Sequence, residues 1–469
     1  MLIALLIYFA LLLLVSRLTG KGSNEAFFRG ERKSPWPLVA FGMIGASISG
    51  LTFIGVPGWV MTTNMTYIQM CLGFIVGYAI VAFVLLPLYY RYNLTSIYTY
   101  LNHRFGKTSY RTGSLFFIIS KLLGAAAKFY VVVQILQTCI ADQYGIPYTV
   151  TAIITLLFIW MYTRRSGIRT LVWTDALQTF ILIAALCIIL VKVCSMLDLS
   201  AAEAVTAVWN DPHAQILEFS DWASKQNFWK QFLSGIFVVI VMTGLDQDMM
   251  QKNLTCKNLK DAQKDMCTYG VMFVPINLLF LALGILLLIL YGQLGMEVPA
   301  KGDALLADIV MSGTLGQVAM ICFGVGIVAS AFSSADSSMT ALTTAYCVDI
   351  LQQEKDERAR KRVHLFMMMA FLLCTLAFHA IGSGSVMDLI YTLVSYTYGP
   401  LLGLFAFGMM TKWQVKDKWV PYVAIASPII CYVIDYVTLQ LTGYKFGYEM
   451  LMFNGLLTFA GLWAIRCGK

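Results

Sequence analysis

Long apolar runs, each about the length of a membrane crossing and separated by short polar segments, recur along the whole chain. A helix needs about 20 mostly apolar residues to span the hydrocarbon of a bilayer. Such runs fall at about 1–17, 36–61, 66–90, 114–141, 147–163, 172–196, 231–250, 268–292, 315–350, 363–381, 386–410, 419–441 and 448–466. They predict an all-α polytopic membrane protein with about 13 transmembrane helices. The first run has no basic segment ahead of it, and Arg17 and Lys21 follow it, so it reads as a span and not as a cleaved signal. The segment 197–230 carries several acids and Trp residues and is expected to form short helices over an outer vestibule. The run Glu354–Arg362 reads as a solvated loop.

Composition agrees with the pattern. Of 469 residues, 59% are hydrophobic and 12% charged, about half the ~25% charged residues of a soluble domain. A soluble enzyme, a disordered chain and a nucleic-acid-binding module are all excluded. The excess of 33 Lys and Arg over 25 Asp and Glu matters through its position. With Met1 outside, 26 of the 33 basic residues fall in inner segments. Five (Lys192, Lys225, Lys230, Lys301, Lys445) fall in outer ones, and Lys121 and Lys128 lie within a span. This predicts an outer N-terminus and a cytoplasmic Lys469 in the plasma (inner) membrane. The 11 Cys lie mostly in apolar runs and read as reduced packing residues. The four His are widely separated, without metal or proton-relay spacing. Neither an enzymatic activity nor an organic cofactor is expected, nor any obligate protein partner.

Three polar clusters interrupt the apolar pattern. The second span holds Gly42, Gly45, Gly50, Gly55, Pro57 and Gly58 around Ser47, Ser49 and Thr52. Such residues serve either close helix packing or a discontinuous helix whose freed carbonyls line a polar site. The seventh span ends in Thr243-Gly244-Leu245-Asp246-Gln247-Asp248, followed by Gln251 and Lys252. The starts of these two spans lie five helices apart, as in two inverted five-helix repeats at 36–196 and 231–410. The flanking parts are then 1–35, 197–230 and 411–469, the last holding two trailing helices.

In the ninth span, Ser330, Ser333, Ser334 and Ser337 share one helical face beside Asp336. An intramembrane carboxylate costs roughly 2.5–3.5 kcal/mol on insertion scales, and a hard cation takes oxygen ligands of this kind. A structural hydrogen-bond seam is the alternative. Asp175 is either an interface residue near the inner face or a cation ligand facing the serines. Lys121 and Lys128, seven apart, share a face of the fourth span; Lys121 is near enough to the inner boundary to snorkel. Lys128 lies deeper and faces a cavity or an acid.

The stretches Ser49–Gly58, Trp173–Thr179, Asp246–Lys252 and Ser333–Asp349 make the chain resemble the sodium:solute symporter family, over nearly its whole length. The resemblance implies a leucine-transporter-type core of inverted repeats, one extra N-terminal helix and two trailing helices. It places a sodium site on the carbonyls of Gly45, Ile48 and Ser330 and the hydroxyls of Ser333 and Ser334. Some members bind a second cation, here matched by Asp175, Ser333, Asp336 and Ser337. Asp336 departs from the hydroxyl those members carry, leaving open whether it binds Na⁺ or a proton. Candidate substrate positions are Ser47, Ser49, Gly50, Thr52, Lys128, Thr243, Asp246 and Thr392. Ser47 replaces the Asn of sugar carriers and the Asp of proline carriers. Met242 and Thr243 replace an aromatic pair that stacks on sugar, and Thr392 replaces a sugar-binding Gln.

The reading is a Na⁺-coupled symporter that imports a small polar solute, a carboxylate or sugar acid, across the lipid bilayer by alternating access. Lys128 is then the solute's counter-charge or, equally, an internal ion-pair partner, and hydroxyls replace aromatic platforms. A proton-coupled or exchange transporter on the same fold is the rival, with Asp175 and Asp336 as the titrating pair. A non-transporting sensor or channel-like subunit is disfavoured, since neither end carries an appended soluble domain.

Overall fold

A computed structural model describes residues 2–20, 22–139, 141–164, 167–222, 224–382, 395–444 and 446–467. Helices α1 (Leu2–Thr19), α2 (Asn24–Arg29), α3 (Trp36–Ser47), α4 (Gly50–Thr63), α5 (Tyr67–Ile80), α6 (Leu86–Arg91), α7 (Thr99–Arg104), α8 (Lys107–Cys139), α9 (Tyr148–Thr163) and α10 (Ile168–Met196) make up the first part. After α11 (Ala201–Asn210) come α12 (Phe228–Val239), α13 (Gln247–Asn253), α14 (Leu259–Leu294), α15 (Ala304–Met311), α16 (Gly316–Ala345) and α17 (Glu357–Ile381). The last are α18 (Gly399–Met410), α19 (Val420–Thr442) and α20 (Glu449–Ala464). A two-residue antiparallel pairing of Gln414–Val415 with Arg466–Cys467 ties the ends of the last part together. Helix dominates because, in lipid, each backbone polar group must find its partner within the segment.

Each of the 13 apolar runs overlaps a helix or a broken pair. Of the run 386–410, the first part lies outside the described residues, and α18 is what is seen. Among the described residues, seven helices are long and apolar enough to cross a membrane, and up to nine if each bent pair is one span.

The two interrupted spans are both bent, by 59° between α3 and α4 and by 71° between α12 and α13. The first break falls at Ile48 and Ser49, not at a glycine. There Ser49 N–H bonds to Ser47 O instead of reaching back to Gly45 O. The glycines serve close approach: a Cβ on Gly45 would overlap Thr179, and one on Gly42 would meet Asp175 Cβ at 3.0 Å. Both readings of the second span therefore hold, at different residues. At the second break, Tyr89 and Tyr98 hydroxyls donate to the carbonyls of Gly244 and Leu245, each at 2.8 Å. These bonds satisfy acceptors that an unbroken helix would have used itself.

The polar segments sort into two sets. In one, Arg29 Nε donates to Thr95 Oγ1 (2.8 Å), Arg169 pairs with Glu31 (2.6 Å), Tyr90 OH donates to Cys256 O (3.1 Å) and Arg104 to Trp413 O (2.8 Å). In the other, Met65 N–H bonds to His213 O (3.1 Å), Gln69 Nε2 to Gln226 O (2.9 Å) and Lys230 Nζ to Tyr444 OH (3.4 Å). The first set joins the segments rich in Lys and Arg. Within it, the run Glu354–Arg362 is not a solvated loop. Asp356 caps α17, whose first turns include Arg358–Arg362, and Arg360 is buried against the Phe27 ring at 4.6 Å.

Candidate functional site

The broken helix and the serine stripe meet. Ser330 Oγ donates to Ile48 O at 2.5 Å, and Ser334 Oγ donates to Ala46 O at 3.3 Å. Diversion of Ser49 N–H leaves the Gly45 carbonyl without its ordinary helical donor. Gly45, Ile48, Ser330 and Ser334 thus converge where α16 crosses the break. Carbonyl and hydroxyl oxygens are the ligands a hard monovalent cation takes. Ser333 belongs to the same stripe, but its hydroxyl turns to α10 and donates to Asp175 Oδ1 at 2.8 Å.

Asp175 is fully buried, about two turns beyond the start of α10, and is no interface residue. Its second oxygen lies 2.8 Å from Nζ of Lys252, which is 1% exposed. The four residues matched to a second cation do not form one cluster. Asp175 holds Ser333 on one oxygen and Lys252 on the other, whereas Asp336 accepts from Tyr162 OH (2.6 Å) and from Ser337 Oγ (3.2 Å).

Beside the break lies a cavity of about 230 Å³ lined by Ser47, Ser49, Thr52, Lys128, Thr243 and Asp246. Gly50 instead borders a void of about 10 Å³ next to it, with Ser49 and Lys128. Thr392 lies outside the described residues. Lys121 does not snorkel to a boundary: its Nζ sits 3.0 Å from Asp246 and 2.8 Å from Asp248, in the cavity wall. Tyr398 OH completes this network with a 2.7 Å bond to Asp246, and Ser338 Oγ donates to Asp248 at 3.2 Å. Asp246 and Asp248 are therefore both paired with Lys121. Among the described residues no carboxylate lies within 4 Å of the Lys128 ammonium.

The expectation of a site without aromatic platforms is also corrected. Trp59, Tyr67, Phe74, Tyr269 and Tyr398 line the cavity, from helices other than the one carrying Met242 and Thr243. Tyr269 bonds to Ser47 Oγ and receives Tyr78 OH at 2.7 Å. Sequence reasoning missed Lys252, and the available signal was a rule: a buried intramembrane acid needs a named counter-charge.

Two broken helices around a partly polar cavity, with serine hydroxyls meeting backbone carbonyls at one break, are the arrangement of a secondary active transporter embedded in a membrane. The model of the sodium:solute symporter family matches residues 27–416, and the chain belongs to that family. It is a Na⁺-coupled symporter of a small solute working by alternating access, and not an enzyme. The chain is 25% identical over 427 residues to the sodium/sialic acid symporter SiaT of Proteus mirabilis, covering 86% of this chain and 83% of that one. It is 25% identical over 425 residues to the human sodium/iodide cotransporter, spanning 86% of this chain and 65% of that longer protein. A zebrafish (Danio rerio) sodium-coupled monocarboxylate transporter 2 shows 26% identity over 419 residues, 83% of this chain and 63% of its own length.

Among solved structures, a substrate-bound, outward-open Na⁺-coupled sialic acid symporter superposes with a TM-score of 0.80 at 20% identity, covering 98% of this chain and 96% of that one. Mhp1, a nucleobase-cation-symport-1 transporter in a closed conformation, gives 0.58 at 14% identity, with 94% and 93% covered. These likenesses establish the fold, a leucine-transporter-type arrangement with an extra N-terminal helix and trailing helices.

Proposed function

We propose that the chain imports a carboxylate solute, a sugar acid or related anion, with Na⁺ held between the α3–α4 break and α16. The observation that carries the solute class is the Lys128 ammonium. It faces the cavity without a carboxylate within 4 Å among the described residues, while Asp246 and Asp248 are both in contact with Lys121. An ammonium in a low-dielectric site needs a counter-charge, and a solute carboxylate supplies it. Ser47, Ser49, Thr52 and Thr243 offer hydroxyls to the rest of the solute, and the aromatic wall covers its apolar faces. Relatives named for sialic acid, monocarboxylate and iodide transport carry anions, which supports the reading.

The cation ligands are the carbonyls of Gly45, Ile48 and Ser330 with the hydroxyls of Ser334 and Ser333, the latter through an oxygen whose proton goes to Asp175. Na⁺ there holds the broken helix against α16, and it drives the cycle through its different affinity for the two access states. The loops rich in Lys and Arg face the cytoplasm, with the N-terminus outside and the C-terminus within. The transport core is two inverted repeats at 36–196 and 231–410.

Counterflow in proteoliposomes, with labelled carboxylates, neutral sugars and zwitterions under a Na⁺ gradient, tests the solute class. A carboxylate is expected to exchange in a Na⁺-dependent way. Lys128→Gln is expected to abolish that exchange while ²²Na⁺ binding survives. A neutral sugar or zwitterion as the transported solute overturns the reading.

A further inference from the structure

A positive charge already sits at Asp175, where the resemblance expects a second cation to bind. Lys252 Nζ lies 2.8 Å from Asp175 Oδ2, with both side chains buried. Ser333 Oγ occupies the other carboxylate oxygen at 2.8 Å. The position of Lys252 is built, not incidental. Asp246 caps the N-terminus of α13 by accepting from Asp248 N–H at 2.8 Å. At its other end Gln251 Nε2 donates to Phe28 O and to Thr344 Oγ1, each at 2.9 Å. The short half-helix is fixed at both ends, so its lysine is aimed at α10.

The remaining second-site candidates have other hydrogen-bond partners, although the Asp336 carboxylate is near enough to Asp175 and Lys252 to feel both charges. Ser337 Oγ donates to Asp336, and the other Asp336 oxygen accepts from Tyr162 OH. A monovalent cation at Asp175 would thus lack these two ligands and would sit against an ammonium of its own sign. Like charges in contact inside a low-dielectric interior repel strongly.

We propose that the Lys252 ammonium is a tethered substitute for a second Na⁺, so that the transporter binds one Na⁺ per cycle. The lysine supplies the charge that ties α10 to α13 and to the Ser333 face of α16. A tethered charge cannot leave with the solute, so it adds nothing to the driving force. This inference rests on the reading that the α3–α4 break and α16 hold the first Na⁺.

The test is equilibrium ²²Na⁺ binding to the purified full chain in nanodiscs, without solute. Wild type is expected to bind one Na⁺ per chain, and Lys252→Met two, because Asp175 regains an uncompensated charge beside Ser333. Asp175→Asn/Lys252→Met, which removes both charges, is expected to bind one and serves should Lys252→Met alone fail to fold. Two Na⁺ on the wild type overturn the proposal, as does a folded Lys252→Met protein that still binds one. Ser334→Ala separates the two readings. It is expected to weaken the wild type's single Na⁺ about tenfold; if it leaves wild-type affinity intact while Lys252→Met still gains one, the first-site reading fails and the Lys252 inference stands.

Discussion

Lys121 and Asp246 form an ion pair at 3.0 Å in the wall of the central cavity, and Asp248 lies 2.8 Å from the same ammonium. One lysine therefore serves two buried carboxylates from the broken end of the seventh span. The pair joins α8 to the start of α13, the half-helix that also carries Lys252. Position and charge balance of the cavity depend on the same three side chains.

Removal of that ammonium is expected to be costly. Lys121→Met leaves two adjacent buried carboxylates without the ammonium they share, a change worth about 3–5 kcal/mol when a buried pair is broken on one side. Thermal unfolding of the detergent-purified protein should show a large fall in Tm. Lys121→Met/Asp246→Asn/Asp248→Asn should recover much of it. An unchanged Tm in Lys121→Met would mean that the ion pair contributes nothing.

The proposed cation pocket predicts a graded effect on coupling. Ser334→Ala and Ser333→Ala each remove one hydroxyl and leave α16 intact, since Ala is the best helix former. The Na⁺ concentration for half-maximal uptake should rise about tenfold, equivalent to about 1.4 kcal/mol. Uptake titrated against Na⁺ in proteoliposomes reads this directly. Unaltered Na⁺ dependence in both variants would remove the sodium assignment.

A loop contact should affect stability without touching coupling. Asp417 accepts from Thr108 N–H and Ser109 N–H, each at 2.8 Å, and so caps the start of α8, the helix that bears Lys121 and Lys128. Asp417→Asn weakens a charged cap and should cost about 1 kcal/mol. A modest Tm decrease with the same Na⁺ half-saturation is expected. A shift in Na⁺ affinity would show that the cap acts on the site itself.

Membrane orientation is open to chemical labelling. Cysteine placed at Lys225 should react with an impermeant maleimide on intact cells, and cysteine at Lys361 only after permeabilisation. The two positions lie in segments that the charge distribution assigns to opposite sides. The reverse pattern would invert the topology.

Much of this molecule can be read from apolar run length, because the bilayer imposes that length on any span. The breaks were visible as Gly, Ser and Thr clusters, yet the bend falls at Ile48 and Ser49 while Gly42 and Gly45 admit α10. Period alone does not separate a glycine that bends a helix from one that lets a neighbour approach. The Ser330–Ser334 stripe was legible because one helix supplies it with a 3.6-residue period.

Ion pairing was not legible. Lys121 lies 125 residues from Asp246, and Lys252 pairs with Asp175 on a different, distant helix. Which lysine reaches which acid is set by the depth and rotation of each helix. The apolar pattern fixes neither to within a turn. For the same reason the aromatic wall was missed: its members arrive singly from several spans.

The pairing of Lys252 with Asp175 also bears on bioenergetics. A symporter that moves one Na⁺ together with one monocarboxylate transfers no net charge across the bilayer. Its uptake would answer to the sodium concentration ratio and be indifferent to membrane voltage, so a depolarised cell would still accumulate the solute. A neutral lysine replacement that admits a second Na⁺ would make the same cycle electrogenic. A single side chain, buried and far from any solute contact, would thereby decide whether the cell's electrical potential contributes to nutrient uptake.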